Sequence, residues 1–153
     1  MIDLRDFPLP LFDEDLERAR TPEAATRLKA MMVEHHGFLI ASPEYNSSIT
    51  AVLKNAIDWA SRPAANEPPV VAFGGEVASL MSTSPGAFGG LRGLVQLRSI
   101  LGNIGVIVLP DQIAMPRAFE AFEEDGTLKD AKTQSSVAAL GTSLAAFLAK
   151  FKE

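Results

Sequence analysis

The sequence predicts an α/β fold with a doubly wound parallel sheet. Three short apolar-rich stretches alternate with stretches whose apolar residues recur at helical spacing. Buried parallel strands are typically apolar throughout, and alternating strands and helices are typical of sheets covered on both faces. In such sheets, ligands bind in the crevice beyond the carboxyl ends of the strands. The predicted strands are Phe38–Ala41, Val77–Thr83 and Val106–Leu109, the first and last of them buried.

Composition limits the functions that the chain can have. Its 153 residues suit one domain, which we expect to span residues 1–153. The absence of cysteine excludes disulfides, thiolate metal sites and cysteine nucleophiles. A net charge of -5 argues against a nucleic-acid partner. No secretory pattern opens the chain, and no apolar run approaches the roughly 20 residues that span a bilayer. We therefore expect a cytoplasmic protein without membrane contact.

The amino-terminal third predicts a strand, a loop and a helix. Residues Met1–Leu4 read as the end of a strand, and the prolines in Phe7–Pro10 favour an extended loop. Thr21-Pro22-Glu23 has the order N-cap, proline at the first helical position and first-turn acid. Gly37 suits the left-handed position just past the end of this helix.

Two adjacent histidines, His35 and His36, lie in the last turn of this predicted helix. Side chains one residue apart on a helix point in different directions, so a shared metal site is disfavoured. Cationic groups suit the carboxyl end of a helix, which favours a solvated cap.

The rest of the chain continues the alternation. Pro110–Asp130 reads as an acidic loop of about 20 residues, long enough to be functional or interfacial. The other predicted segments are a helix from Ala51 that Arg62-Pro63 ends, a connection over Ala64–Gly75, a helix from Leu91 that stops near Gly105, and a closing helix from about Ala131 to Lys150.

The loop after the first buried strand carries the sequence SPEYNSS, residues 42–48. A strand-to-helix turn presents backbone amides toward one crevice, where they can meet the carbonyls and ring nitrogens of a flat heterocycle. Tyr45 adds a large flat surface. The alternative is a helix-capping loop in which Asn46, Ser47, Ser48 and Thr50 only satisfy backbone groups. The residues favour neither interpretation.

A second strand-to-helix turn, residues 84–90, has the sequence SPGAFGG. Missing side chains at its glycines would let a flat ligand approach the backbone closely. Taken alone, the turn slightly favours the alternative, in which the glycines only provide unusual dihedral angles. Two such loops on successive βα turns together suggest a flat, polar-edged cofactor between them.

The helix after the first loop carries Lys54, Asp58 and Trp59. The spacing of four predicts a surface ion pair between Lys54 and Asp58, with Trp59 in the core. The alternative is that Trp59 anchors a dimer contact, because a lone tryptophan on an amphipathic helix also suits an interface.

No motif for hydrolysis, metal catalysis or dinucleotide pyrophosphate binding is present. Three segments together resemble the NADPH-dependent FMN reductases, and the likeness covers nearly the whole chain in order. The first is Ser42-Pro43-Glu44-Tyr45-Asn46. The other two are Leu53-Lys54-Asn55-Ala56-Ile57-Asp58-Trp59, and Ser84-Pro85-Gly86 with Gly89-Gly90.

The resemblance implies a flavodoxin-like fold, noncovalently bound FMN, electrons from NADPH or NADH, and a homodimer or homotetramer. It implies electron transfer to flavins, quinones, azo dyes or similar small acceptors, with no catalytic side chain and no metal. The implied cofactor-binding residues fall into two groups. The first group borders the isoalloxazine and the ribityl chain, and the second flanks the other edge of the ring. They are Pro43, Glu44, Tyr45 and Asn46, followed by Ser84, Pro85, Gly86, Gly89 and Gly90.

The family pattern also begins earlier than Met1. It opens with a strand, a Ser/Arg/Asn loop that wraps the FMN phosphate, and a helix, which together amount to roughly 30 residues. In flavodoxin order, that strand would lie between the strand predicted to end at Leu4 and the strand Phe38–Ala41. A gene start assigned too late is the favoured explanation, ahead of a genuine truncation or an edge covered by another copy.

Two other functions stay open at this point. A flavin-free dimerising scaffold is favoured by the missing phosphate loop. A flavodoxin-type electron carrier would hold FMN without oxidising NADPH directly.

Overall fold

The computed structural model describes residues 1–151 and contains a three-stranded parallel sheet with helices on both faces. The strands lie side by side in the order β1, β2, β3. The predicted α/β class with a parallel sheet is confirmed. The elements are a 3-10 turn at Leu4–Asp6, α1 Glu14–Ala19, α2 Glu23–Val33, β1 Gly37–Ala41, α3 Ala51–Ala60, β2 Val77–Thr83, α4 Leu91–Asn103, β3 Ile107–Met115, α5 Ala118–Ala121 and α6 Ala131–Phe151.

The main core lies on the face of the sheet that α3 and α4 cover. On the opposite face, Leu144 of α6 packs with Val77 and Leu109. Successive side chains of β2 thus enter different layers, as the twofold alternation of a strand requires. The layer beneath α3 and α4 includes Ile57, Ala78, Leu80, Leu94, Leu97 and Leu101.

Strand β1 forms where it was predicted, but it is not buried on both faces. It pairs only with β2 within residues 1–151, and Leu39 is 46% exposed. Phe38 and Ile40 are half-buried against the main core. The prediction of burial on both faces is wrong because β1 is an edge strand in the sheet described.

The prediction of a strand at Met1–Leu4 is also wrong. Residues 4–6 form a 3-10 turn, and the Asp3 carboxylate accepts the backbone N–H of Arg5 at 2.9 Å. No strand lies beside this segment in the described residues, so its backbone has no ladder to join. Its hydrogen bonds are local instead.

Helix α3 holds the segment that follows this turn. The Asn55 side chain donates to the Pro10 carbonyl at 2.9 Å and accepts the Phe12 N–H at 2.8 Å. The Trp59 indole N–H donates to the same Pro10 carbonyl at 2.8 Å. Trp59 is 2% exposed, which confirms its predicted place in the core and makes the dimer-anchor alternative wrong. Lys54 and Asp58 form the predicted ion pair at 2.7 Å.

Helix α2 is displaced by one residue at its start and is shorter than predicted at its end. Pro22, not Thr21, is the N-cap, and no side chain caps the helix. The helix ends at Val33, and Gly37 opens β1 instead of closing the helix in a left-handed conformation. A Cβ on Gly37 would lie 2.6 Å from Leu148 Cδ1, so α6 uses the space that a side chain would fill.

The histidines lie just beyond this helix. His35 Nδ1 is 2.7 Å from the Met31 carbonyl oxygen, which agrees with a role at the helix end. Within residues 1–151, no group of histidine, aspartate and glutamate side chains is placed to hold a metal ion.

The prediction that a loop begins at Pro110 is wrong, because β3 continues to Met115. Ala78 pairs with Val108 and Leu80 with Gln112, so two steps along β2 match four along β3 and leave two extra residues. The bulge accommodates Pro110, since a bulged residue does not need a ladder hydrogen bond.

Arg98 of α4 supports this bulge. Its guanidinium donates to the carbonyls of Val108 and Leu109 at 3.1 and 2.9 Å. A third bond, of 2.8 Å, reaches Gln112 Oε1. Carbonyl oxygens displaced from the ladder therefore find donors on the neighbouring helix.

Candidate functional site

Two loops meet at the carboxyl edge of the sheet. The first loop, residues 42–50, follows β1, and the second loop, residues 84–90, follows β2. All nine predicted cofactor-binding residues lie in these two loops. Ser84 ties the second loop to the end of β3, because its N–H donates to the Met115 carbonyl at 3.3 Å. Its own carbonyl accepts the Ala118 N–H at 3.0 Å.

The first loop contains a tight turn closed by two 3.0 Å backbone hydrogen bonds between Tyr45 and Ser48. Asn46 and Ser47 at its tip have φ values of 50° and 65°. The turn leaves the Tyr45 side chain 62% exposed at the rim. Of the proposed capping residues, Thr50 does cap α3, since its hydroxyl accepts the Leu53 N–H at 3.2 Å.

The glycines of the second loop do different things. A Cβ on Gly89 would lie 2.6 Å from Met115 N, and one on Gly90 would lie 1.8 Å from Ser82 Oγ. Both residues have positive φ, so they allow the loop to turn while it packs against protein. A Cβ on Gly86 would meet nothing closer than Ser84 Oγ at 3.9 Å. The open approach to the backbone is therefore at Gly86.

Several backbone amides in these loops donate no hydrogen bond within residues 1–151. The first loop contributes five and the second contributes four. Such donors can meet the carbonyls and ring nitrogens of a flat heterocycle. Phe88, which is 63% exposed, adds an aromatic surface to the one that Tyr45 provides. The free amides are those of Glu44, Asn46, Ser47, Ile49 and Thr50 in the first loop and of Gly86, Ala87, Phe88 and Gly90 in the second.

The Glu44 side chain connects the two loops through α4. One carboxylate oxygen accepts the Gly93 N–H at 3.0 Å. The other lies 3.0 Å from the Arg92 guanidinium. This side chain is 7% exposed, so its carboxylate is engaged inside the protein. Sequence reasoning missed Arg92 and Gly93; opposite charges at positions 44 and 92 were the only signal, and they lie far apart in the chain.

These residues fit the ring system of a flavin. The free amides offer donors, and Tyr45, Phe88 and Gly86 offer flat or open surface. The loops contain no lysine or arginine that could bind a phosphate. Glu44 engages the N-terminus of α4 and Thr50 that of α3, so neither is a vacant anion site. None of the helices in the described chain is long and apolar enough to cross a membrane.

Comparison with known proteins identifies the family. The model of the NADPH-dependent FMN reductase family matches residues 1–120. A Pseudomonas aeruginosa protein named NAD(P)H-dependent FMN reductase is 36% identical over 89% of this chain and 72% of its own length. A Solanum tuberosum protein named NAD(P)H:quinone oxidoreductase is 39% identical over 95% of this chain and 73% of its own.

A solved structure agrees with these relatives. The flavoenzyme NAD(P)H:(acceptor) oxidoreductase FerB of Paracoccus denitrificans superposes with a TM-score of 0.74 at 31% identity. The match covers 97% of this chain and 77% of that one, and the fold is flavodoxin-like. The chain therefore belongs to the NADPH-dependent FMN reductase family.

Proposed function

We propose that this chain passes electrons from NADPH or NADH, through bound FMN, to a small acceptor, and that quinones are the preferred acceptor class. Its relatives are named as FMN reductases and quinone oxidoreductases. The observation that carries the proposal is the meeting of two loops with unpaired amides at the carboxyl edge of the sheet.

In this proposal the protein binds and orients the flavin and supplies no acid or base. Residues 43–46 border one side of the ring, and residues 84–86, 89 and 90 border the other. Tyr45 and Phe88 offer exposed aromatic surface beside the opening. FMN held by these two loops would supply hydride transfer from the nicotinamide and electron transfer to the acceptor.

We also infer a single domain that works in the cytoplasm as a homodimer. Val52 of α3 and Val95 of α4 are 56% and 57% exposed, which supports an interface on the helices next to the site. Sedimentation of the purified chain tests for the homodimer, and a monomer at all concentrations would contradict it.

Flavin binding and turnover test the proposed function directly. Titration of FMN with the chain should quench flavin fluorescence, and added benzoquinone should be reduced at the expense of NADPH. Bound FMN that NADPH fails to reduce in stopped-flow mixing would favour a flavodoxin-type carrier. Absence of binding at micromolar FMN would favour the flavin-free scaffold.

A pair of glycine variants tests the location. Gly86→Val fills open space at the rim, whereas Gly102→Val does the same near the end of α4, with no atom within 4 Å of its Cβ. Gly86→Val should weaken FMN binding at least about tenfold, since a displaced donor loses a hydrogen bond. Gly102→Val should leave FMN binding unchanged. Equal FMN affinity of the two variants would place the flavin elsewhere.

A further inference from the structure

We propose that Glu44 is a positioning residue that fixes the separation of the two flavin loops. The proposal rests on the function proposed above. It assigns the Glu44 carboxylate to the protein's own helix α4, while the backbone of its loop faces the ring.

Helix α4 lacks a cap of its own. Its N-cap residue is Gly90, which has no side chain to accept the amides of the first turn. A residue with a side chain does not fit there, because its Cβ would lie 1.8 Å from Ser82 Oγ. Glu44 replaces the missing cap, since its carboxylate accepts the N–H of Gly93, the third residue of the helix.

The Glu44 carboxylate also binds Arg92. The Arg92 guanidinium lies 5.4 Å from the centroid of the Phe88 ring, with its charge over the ring. A chain of contacts thus runs from Glu44 in the first loop through Arg92 to Phe88 in the second. The Glu44 side chain is 7% exposed and the Arg92 side chain 58%, so the charge-assisted bond from the Gly93 N–H is the better shielded of the two contacts.

The backbone of α4 is shaped for close approach of the first loop. A Cβ on Gly93 would lie 3.2 Å from the Ser48 carbonyl oxygen and 3.4 Å from Glu44 Cβ. Both ends of the turn that carries the free amides of Asn46 and Ser47 therefore rest against the helix.

The consequence concerns the flavin ring. Donors to its edges must lie within about 2.7–3.2 Å of the ring atoms. The free amides belong to loops, so regular hydrogen-bond ladders do not set their separation. If the link through Glu44 is lost, the two sets of donors are free to move apart and the ring should bind more weakly.

The test compares Glu44→Ala and Glu44→Gln with the matched control Glu17→Gln. Glu17 also joins an arginine on another part of the chain, Arg62, at 2.7 Å, and its side chain is 18% exposed. Flavin affinity is measured by fluorescence quenching with FMN and with lumiflavin, which has the ring without ribityl chain or phosphate. Glu44→Ala should raise both dissociation constants about tenfold or more, because it removes two charge-assisted contacts. Glu44→Gln should have a smaller effect, and Glu17→Gln should have none.

Amide hydrogen exchange of the flavin-free protein gives an independent reading. Peptides covering residues 42–48 and 84–93 should exchange faster in Glu44→Ala, while peptides from β2 keep the wild-type rate. Faster exchange everywhere would show general destabilisation and overturn the proposal.

The outcomes separate this inference from the proposed function. A wild-type chain that binds neither FMN nor lumiflavin would refute the proposed function, and the exchange of the two loops would then decide the role of Glu44 alone. Unchanged loop exchange in Glu44→Ala overturns the positioning role. So does a lumiflavin dissociation constant within twofold of wild type, or an equal rise in Glu17→Gln.

Discussion

Replacing Gly90 by alanine should destabilise the protein more than any substitution that only disturbs a turn. Gly90 has a φ of 88° and a ψ of 14°, in the left-handed region that alanine adopts at a cost of about 1–2 kcal/mol. The new methyl would lie 1.8 Å from Ser82 Oγ and 2.7 Å from Ser82 Cβ. Overpacking of this kind costs about 1–3 kcal/mol more.

The expected loss in unfolding free energy is therefore about 2–5 kcal/mol. For a chain of this size, a loss of about 3 kcal/mol lowers the midpoint of thermal unfolding by about 6–12 °C. Urea unfolding followed by circular dichroism measures the free energy, and calorimetry measures the midpoint.

Two further variants isolate the clash from the dihedral strain. Gly126 has a φ of 84° and no atom within 4 Å of an added Cβ, so Gly126→Ala should cost only the dihedral strain of about 1–2 kcal/mol. Ser82→Gly removes both clashing atoms, so Gly90→Ala should become as mild in that background as Gly126→Ala. If Gly90→Ala and Gly126→Ala destabilise equally, or if Ser82→Gly brings no relief, the packing argument for Gly90 is refuted.

Three other perturbations test separate parts of the molecule. Arg98→Met should lower the unfolding free energy measured in urea by about 2–3 kcal/mol, because the carbonyls of the β3 bulge and the Gln112 side chain lose their donor. A loss under about 0.5 kcal/mol would contradict the supporting role of Arg98. The hydrogen bond from Lys29 holds the pKa of Glu67 below its ordinary 4.5. This contribution to stability is complete above pH 4.5 and is lost as pH falls through the lower folded pKa. The unfolding free energies of wild type and Glu67→Gln, measured in urea, should therefore differ at neutral pH and converge in acid. A difference that persists in acid would argue against the ion pair. Asn55→Leu should make residues 9–12 more susceptible to limited proteolysis while leaving the midpoint of thermal unfolding nearly unchanged. If the variant resists proteolysis as well as wild type does, the segment is held by other contacts.

Local signals were enough to predict several elements. The limits of β2 were predicted correctly, and Gly105, with a φ of 85°, follows the end of α4 as a helix-ending glycine should. The extension of β3 past Pro110 was missed because proline usually excludes a central strand. What permits it is the bulge, on a strand that lies at the edge of the described sheet, and neither feature leaves a local mark beside the proline.

For the candidate site, the sequence predicted which loops meet, because parallel strands share one carboxyl edge. It could not assign the glycines. Whether an empty Cβ position faces open space, as at Gly86, or another protein atom, as at Gly90, depends on neighbours from other elements. The carboxylate of Glu44 raises the same difficulty, because a residue in a binding loop can turn its side chain into the protein while its backbone faces the rim.

The bulge in β3 also limits which insertions and deletions this strand can tolerate. Its two extra residues are an even number, so residues 112–115 keep the same inward and outward alternation as the start of the strand. Deleting or inserting one residue at positions 109–111 would exchange those two sets of side chains. Tolerated length variants at this point should therefore add or remove residues in pairs.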